Sequence, residues 1–182
     1  MAPDVLSDVL RGVRLTGVVY FDFDLTPPWV AEAPPSREIA AKVLPGCERV
    51  IEYHLLIKGN AWGQAVGGEP IRFREGDFLV FPQGDAHILS SAPGMRSAPN
   101  LSMYARDSTP LPLVYELPAI DGAERARLIC GFFGCDERPY NPLLAALPAV
   151  IHLAAADADA ATRPLAAMLD IALRDERRAT GN

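Results

Sequence analysis

The chain has 182 residues, 49% hydrophobic and 22% charged, which fits one globular domain with a real core and excludes a disordered chain. A net charge of −6 and a pI near 5.0 argue against nucleic-acid binding by this chain itself, because phosphate contacts need clustered Lys and Arg. Three cysteines make no disulfide framework, and neither a signal peptide nor an 18-residue apolar run is present, so a soluble, cytoplasmic protein is expected.

In chain order, Asp4 opens a helix whose apolar stripe is Val5, Leu6, Val9, Leu10 and Val13, ending by Leu15. Gly17 breaks it, and Val19, Phe21, Phe23 and Leu25 then alternate with Tyr20, Asp22 and Asp24, the pattern of a half-buried strand. The proline-rich run Thr26–Pro35 reads as a loop with no catalytic feature. Short strands follow at Arg49–Lys58, Ala61–Val66, Ile71–Arg74, Phe78–Phe81 and His87–Ser90, punctuated by Gly59-Asn60, Gly67-Gly68 and Gly76-Asp77. Two more are expected at Leu113–Leu117 and Arg125–Phe133. This rhythm, with 17 prolines and 14 glycines, predicts a sandwich or barrel rather than βαβ units. Asn141-Pro142 then opens a helix, and Ala154–Thr162 reads as a linker. A last helix carries the stripe Leu165, Met168, Leu169, Ala172 and Leu173, suited to pairing two copies. The division is a main domain over residues 1–153 and a linker with a helical segment over 154–182.

Gly76–His87 has the form G-x(5)-P-x-G-x(2)-H, and Glu52 and Gly59 have the spacing E-x(6)-G. These resemble the second cupin motif and the end of the first. The resemblance implies a mainly β, double-stranded β-helix (jelly-roll barrel), here with a short N-terminal helix and C-terminal helices. Three departures matter. The two histidines that precede the glutamate in the family are missing, Cys47 stands at the place of the second, and Ser91 replaces the usual Asn. His54, two residues past Glu52, shares its face by strand alternation. The three-His-one-Glu metal set is therefore incomplete, which weakens the case for a standard cupin metal enzyme.

Further blocks are similar to the cupin-type sensor domain of AraC-family transcriptional regulators: Leu6–Leu10 with Val13–Gly17, His54–Gly59, Gly76–His87, Cys130–Phe133 with Asp136, and Asn141–Pro148. They occur in family order over most of the chain. The resemblance implies an effector-sensing and dimerisation domain, a homodimer, and DNA contact only through a helix-turn-helix segment that these residues do not include. The alternatives are a metal-dependent cupin enzyme, of dioxygenase or isomerase type, and a stand-alone binding cupin.

The expected ligand-binding residues are Glu52, His54, Leu56, Trp62, Phe78, Val80 and His87, with Phe23 in the same apolar wall. A metal site would draw on His54, His87, Cys130 and Cys135, a borderline-soft set that suits zinc. Each has a plainer reading beside it: a core histidine bonded to backbone, an inert buried thiol, a rim glutamate in an ion pair. Cys130 and Cys135, five apart, would converge only through a bulge near Gly131 or Gly134. His152, inside an apolar run, reads as a packing residue.

Overall fold

The computed structural model of the chain describes residues 16–47, 49–105, 109–135 and 146–155. Its strands are β1 (Thr16–Leu25), β2 (Val30–Ala33), β3 (Arg49–Lys58), β4 (Asn60–Ala65), β5 (Ile71–Arg74), β6 (Phe78–Phe81), β7 (His87–Ser90), β8 (Leu113–Glu116), β9 (Ala126–Cys135) and β10 (Ile151–Leu153). Six of them form one sheet in the order β10-β6-β3-β9-β1-β8, and four form a second in the order β2-β7-β4-β5. The pairs are antiparallel except β1 with β8, which is parallel. The result is the two-sheet jelly roll that the strand rhythm predicts.

Pairing register decides which side chains face the core, because directly opposed residues share a sheet face. Glu52 lies between Phe81 and Phe132, and His54 lies between Leu79 and Cys130. That inner face packs against Ala61, Phe73 and Leu89 of the second sheet in one buried cluster. Tyr53, Leu55 and Ile129 lie on the other face, where Leu55 and Ile129 form a second buried cluster with Phe78. β3 is thus buried on both sides, which explains its nearly unbroken apolar run.

Three elements differ from the expectations. The proline-rich stretch holds a strand, β2, which pairs with β7 over Val30–Ala33. A clasp fixes its start: Trp29 N donates to Ser91 Oγ (3.0 Å) and Ser91 N donates to Trp29 O (3.0 Å). Local composition hid this strand because its partner lies far downstream, with His87 opposite Ala33 and Ser90 opposite Val30, and supplies the order from a distance. A single helical turn, α1 (Ala40–Val43), also went unforeseen; it buries Ala40 and Val43. The apolar run at 151–153 is the edge strand β10, and His152 is an anchor rather than a packing residue. Its Nε2–H donates to Asp77 Oδ2 (3.0 Å), and Ala155 N donates to Asp77 Oδ1 (2.8 Å). The helices expected from Asp4 to Leu15, from Asn141, and through Leu165–Leu173 fall largely or wholly outside the described residues.

Gly131 shows how tightly β9 sits beside the site. A Cβ there would collide with the Val18 carbonyl and the Tyr53 hydroxyl, which already donates to Val18 O at 3.2 Å. Gly131→Ala is therefore expected to destabilise the protein by about 1–3 kcal/mol, the usual cost of overpacking. Urea unfolding should show a lower midpoint with an unchanged slope.

Candidate functional site

β3 and β7 supply the polar centre. Glu52 and His54 stand two apart on β3, and His87 opens β7 directly after the Pro82–Asp85 corner. All three are buried: Glu52 is 2%, His54 5% and His87 1% exposed. One ligand atom from each lies within 4.8 Å of the others. His54 Nε2 and His87 Nε2 are 2.8 Å apart, and His87 Nε2 is 3.7 Å from Glu52 Oε2. The Phe81 ring stacks on the His87 imidazole at 3.8 Å between centroids, fixing its plane.

The tautomers follow from the partners. His87 Nδ1 lies 3.1 Å from the Asp85 carbonyl, which can only accept, so Nδ1 carries the proton and a neutral His87 presents a bare Nε2. His54 Nε2–H then donates to it. Burial pushes the Glu52 carboxyl up to about 8 and His87 down to about 4. Burial, and the charge His87 would carry, drive His54 well below its usual value. At neutral pH the bare trio is therefore uncharged, with Glu52 holding a proton.

That arrangement leaves Glu52 Oε1 and His54 Nδ1 buried without a hydrogen-bond partner, a costly condition for polar atoms. Two imidazole nitrogens and a carboxylate oxygen facing one point also form a metal donor set, with the His87 Nδ1–H bond to Asp85 acting as outer support. The residues present fit a divalent ion. Glu52, His54 and His87 would hold it, and it would supply Lewis acidity or an open coordination position.

The trio lies in the wall of a cavity of about 370 Å³. β1, β8 and β9 wall one side, β2 and Leu89 the other, and residues of the 97–104 segment close it. That segment is fastened by Tyr20 Oη donating to the Tyr104 carbonyl (2.8 Å) and, just before it, by the Arg96–Glu32 ion pair (2.8 Å).

Of the expected residues, Glu52, His54 and His87 come together in this wall, and Phe23 lines it. Leu56, Trp62, Phe78 and Val80 do not line the cavity. Leu56 shares the inner face but is sealed in the core cluster. Phe78 and Val80 lie one register step from the inward Leu79 and Phe81, so they belong to the opposite face. Trp62 alternates out of the core between buried Ala61 and Gly63. Cys130 lines the cavity, yet its sulfur is outside the convergent group, and burial, with the Glu52 and Asp22 charges, pushes its thiol well up. The β3–β9 ladder runs without a bulge from His54–Cys130 to Arg49–Cys135, so the bulge that would join the two cysteines is absent; the Cys135 side chain is outside the described residues. Among the described residues the donor atoms that converge are nitrogen and oxygen, from Glu52, His54 and His87.

The sequence reading missed Trp29, Ala31, Leu89, Tyr104, Tyr115 and Phe132, all of which line the cavity. Extending strict alternation along β9 from Cys130 would have found Phe132; the others depend on long-range pairing.

The family model described as Cupin matches residues 4–180. The chain is a cupin. Among solved structures, the crystal structure of the protein YhaK from Escherichia coli aligns with a TM-score of 0.39 and 12% identity, over 80% of this chain and 52% of that one. This cupin thus spans about half of that chain's length. No curated protein matches the sequence. Among the described residues no helix is long and apolar enough to cross a membrane.

The buried trio gives the metal-free cupin a defined pH dependence. The folded state keeps the Glu52 proton up to about pH 8, whereas an unfolded chain releases it near 4.5, so stability falls as pH rises through that window. The histidines act oppositely: the unfolded chain protonates His87 near 6.5 and the folded one only near 4, so their effect is confined below about 6.5. Between pH 6.5 and 8 the decline belongs to Glu52 alone. With chelator present, Glu52→Gln should flatten the fall in urea midpoint across that interval.

Proposed function

We propose that this cupin is the effector-sensing and dimerisation domain of an AraC-type transcription regulator. A small molecule would occupy the cavity, and DNA contact would come from a helix-turn-helix region belonging to the same regulator. The observation that carries this reading is a cavity of about 370 Å³ ending on a trio that rests neutral, its two histidines bonded to each other and its remaining polar atoms unpartnered, a recognition surface that needs no turnover. Its size falls in the range of ordinary small-molecule sites, roughly 300–1,000 Å³. The ordered blocks from Leu6 to Pro148 point to the regulator class. Pairing of two copies is assigned to the stripe Leu165, Met168, Leu169, Ala172 and Leu173.

A second reading is a metal-dependent cupin enzyme. The two histidines and one carboxylate favour it, since that donor set with open positions suits non-haem iron(II) oxygenases as well as zinc.

One experiment separates them. Small molecules released by denaturing the protein purified from cells are identified by mass spectrometry and added back to metal-free, zinc-loaded and anaerobically iron(II)-loaded samples. A sensor raises its melting temperature with the ligand and returns it unchanged from all three after exposure to air. Conversion of the ligand in the iron(II) sample establishes the enzyme instead.

Metal capacity is read independently. Elemental analysis after dialysis against zinc is expected to show about one ion per chain, lost in His87→Ala and in Glu52→Gln. Because binding displaces the Glu52 proton, zinc affinity should increase from pH 6 to 8. An unchanged metal content in His87→Ala would remove the trio from the site.

A further inference from the structure

The walls of the cavity restrict what it can hold. Phe21 and Phe23 stack with centroids 5.1 Å apart and planes 27° apart, and Phe23 stacks on Tyr115 at 5.4 Å and 27°. All three line the cavity. They form one shelf centred on Phe23, which stacks on both neighbours while Phe21 and Tyr115 are tilted 54° from each other at 6.0 Å, because β1 and β8 run parallel in register, with Phe23 opposite Tyr115. Tyr104 stands edge-on to Phe21 at 5.6 Å and 76°, closing one end of the shelf.

Charge restricts the occupant as well. Among the described residues no lysine or arginine lines the cavity, so an acidic group entering the metal-free site would lose its hydration and gain no counter-charge from these walls. Trp29, a wall residue only 7% exposed, has a buried indole N–H with no acceptor, and Glu52 and His54, also wall residues, each keep one unpartnered polar atom.

We propose that the cavity is a site for a planar aromatic molecule that carries a neutral polar group, such as a hydroxyl, and no acidic group. The ring lies against the Phe21–Phe23–Tyr115 shelf, where offset stacking favours a flat π-system over a saturated ring of the same size. This rests on the small-molecule reading above and narrows it to a ligand class.

Three probes of one shape test it by isothermal titration calorimetry on the metal-free and the zinc-loaded protein: 2-naphthol, 2-naphthoate and decahydro-2-naphthol. In the metal-free protein naphthol should bind at least tenfold more tightly than either of the others, and in the zinc-loaded protein it should still exceed the saturated alcohol tenfold. Phe23→Leu keeps the bulk of the wall but removes a ring, and should weaken naphthol about tenfold while leaving the saturated alcohol within twofold. Ala31→Trp, which puts an indole into the cavity from β2, should abolish binding of all three. Naphthoate binding to the metal-free protein as tightly as naphthol overturns the charge assignment. Equal binding of the saturated alcohol, or equal loss of both alcohols in Phe23→Leu, overturns the aromatic one. If no probe binds the wild-type protein, or Ala31→Trp leaves binding intact, the small-molecule reading of the cavity falls with it.

Discussion

The register of β3 between β6 and β9 is the constraint on which the site depends. With side chains alternating every residue, the pairing of His54 with Leu79 on one side and Cys130 on the other fixes Glu52 and His54 inward together. A slip of one residue would turn Tyr53 and Leu55 into the cavity and expel both polar groups. Burial on both faces of β3 makes that slip expensive, since Leu55 is as buried on its side as Leu56 is on the other. The partner histidine is delivered by the corner before β7, and Phe81 holds its ring flat. The trio is thus assembled by backbone pairing, and its own hydrogen bonds add orientation.

Placing three titratable groups among aromatic walls has an electrostatic consequence. Isolated charges are strongly disfavoured there, so the histidines give up protons and the carboxyl retains one. The centre is polar without being charged, and it becomes an anionic donor set only when a cation compensates it. The same burial pushes the Cys130 thiol well up, so without a cation it too stays protonated. Buried Asp22, by contrast, is met by the Arg127 guanidinium through two contacts of 3.1 Å.

Much of the strand layout was legible in the residues, because glycine pairs and period-two alternation are local signals. The motif from Gly76 to His87 carried the corner and the histidine, and parity alone joined Glu52 to His54. The cavity walls were legible only in part. Phe23 was readable from its own strand, whereas Phe78 and Val80 were placed on the wrong face because both faces of β6 are apolar and alternation has nothing to contrast. Trp29 and Ala31 were hidden by neighbouring prolines, and their strand exists because β7 offers an edge far along the chain. Tyr104 comes from a segment with no sequence pattern of its own, held by Tyr20, and Tyr115, though its strand was readable, reaches the cavity only through its parallel partner β1.

The donors and the aromatic shelf come from separate pieces of chain. Glu52, His54 and His87 belong to β3 and β7, whereas the stacked rings belong to β1 and β8, and small alanines on the short edge strand β2 set the opposite wall. No residue serves in both sets. Selection can therefore reshape the chamber by exchanging a ring at position 21, 23 or 115, or by enlarging an alanine at 31 or 33, while the polar centre and its register stay untouched. The fold separates the question of what shape is admitted from the question of what chemistry greets it, and the two can diverge independently among descendants of one sequence.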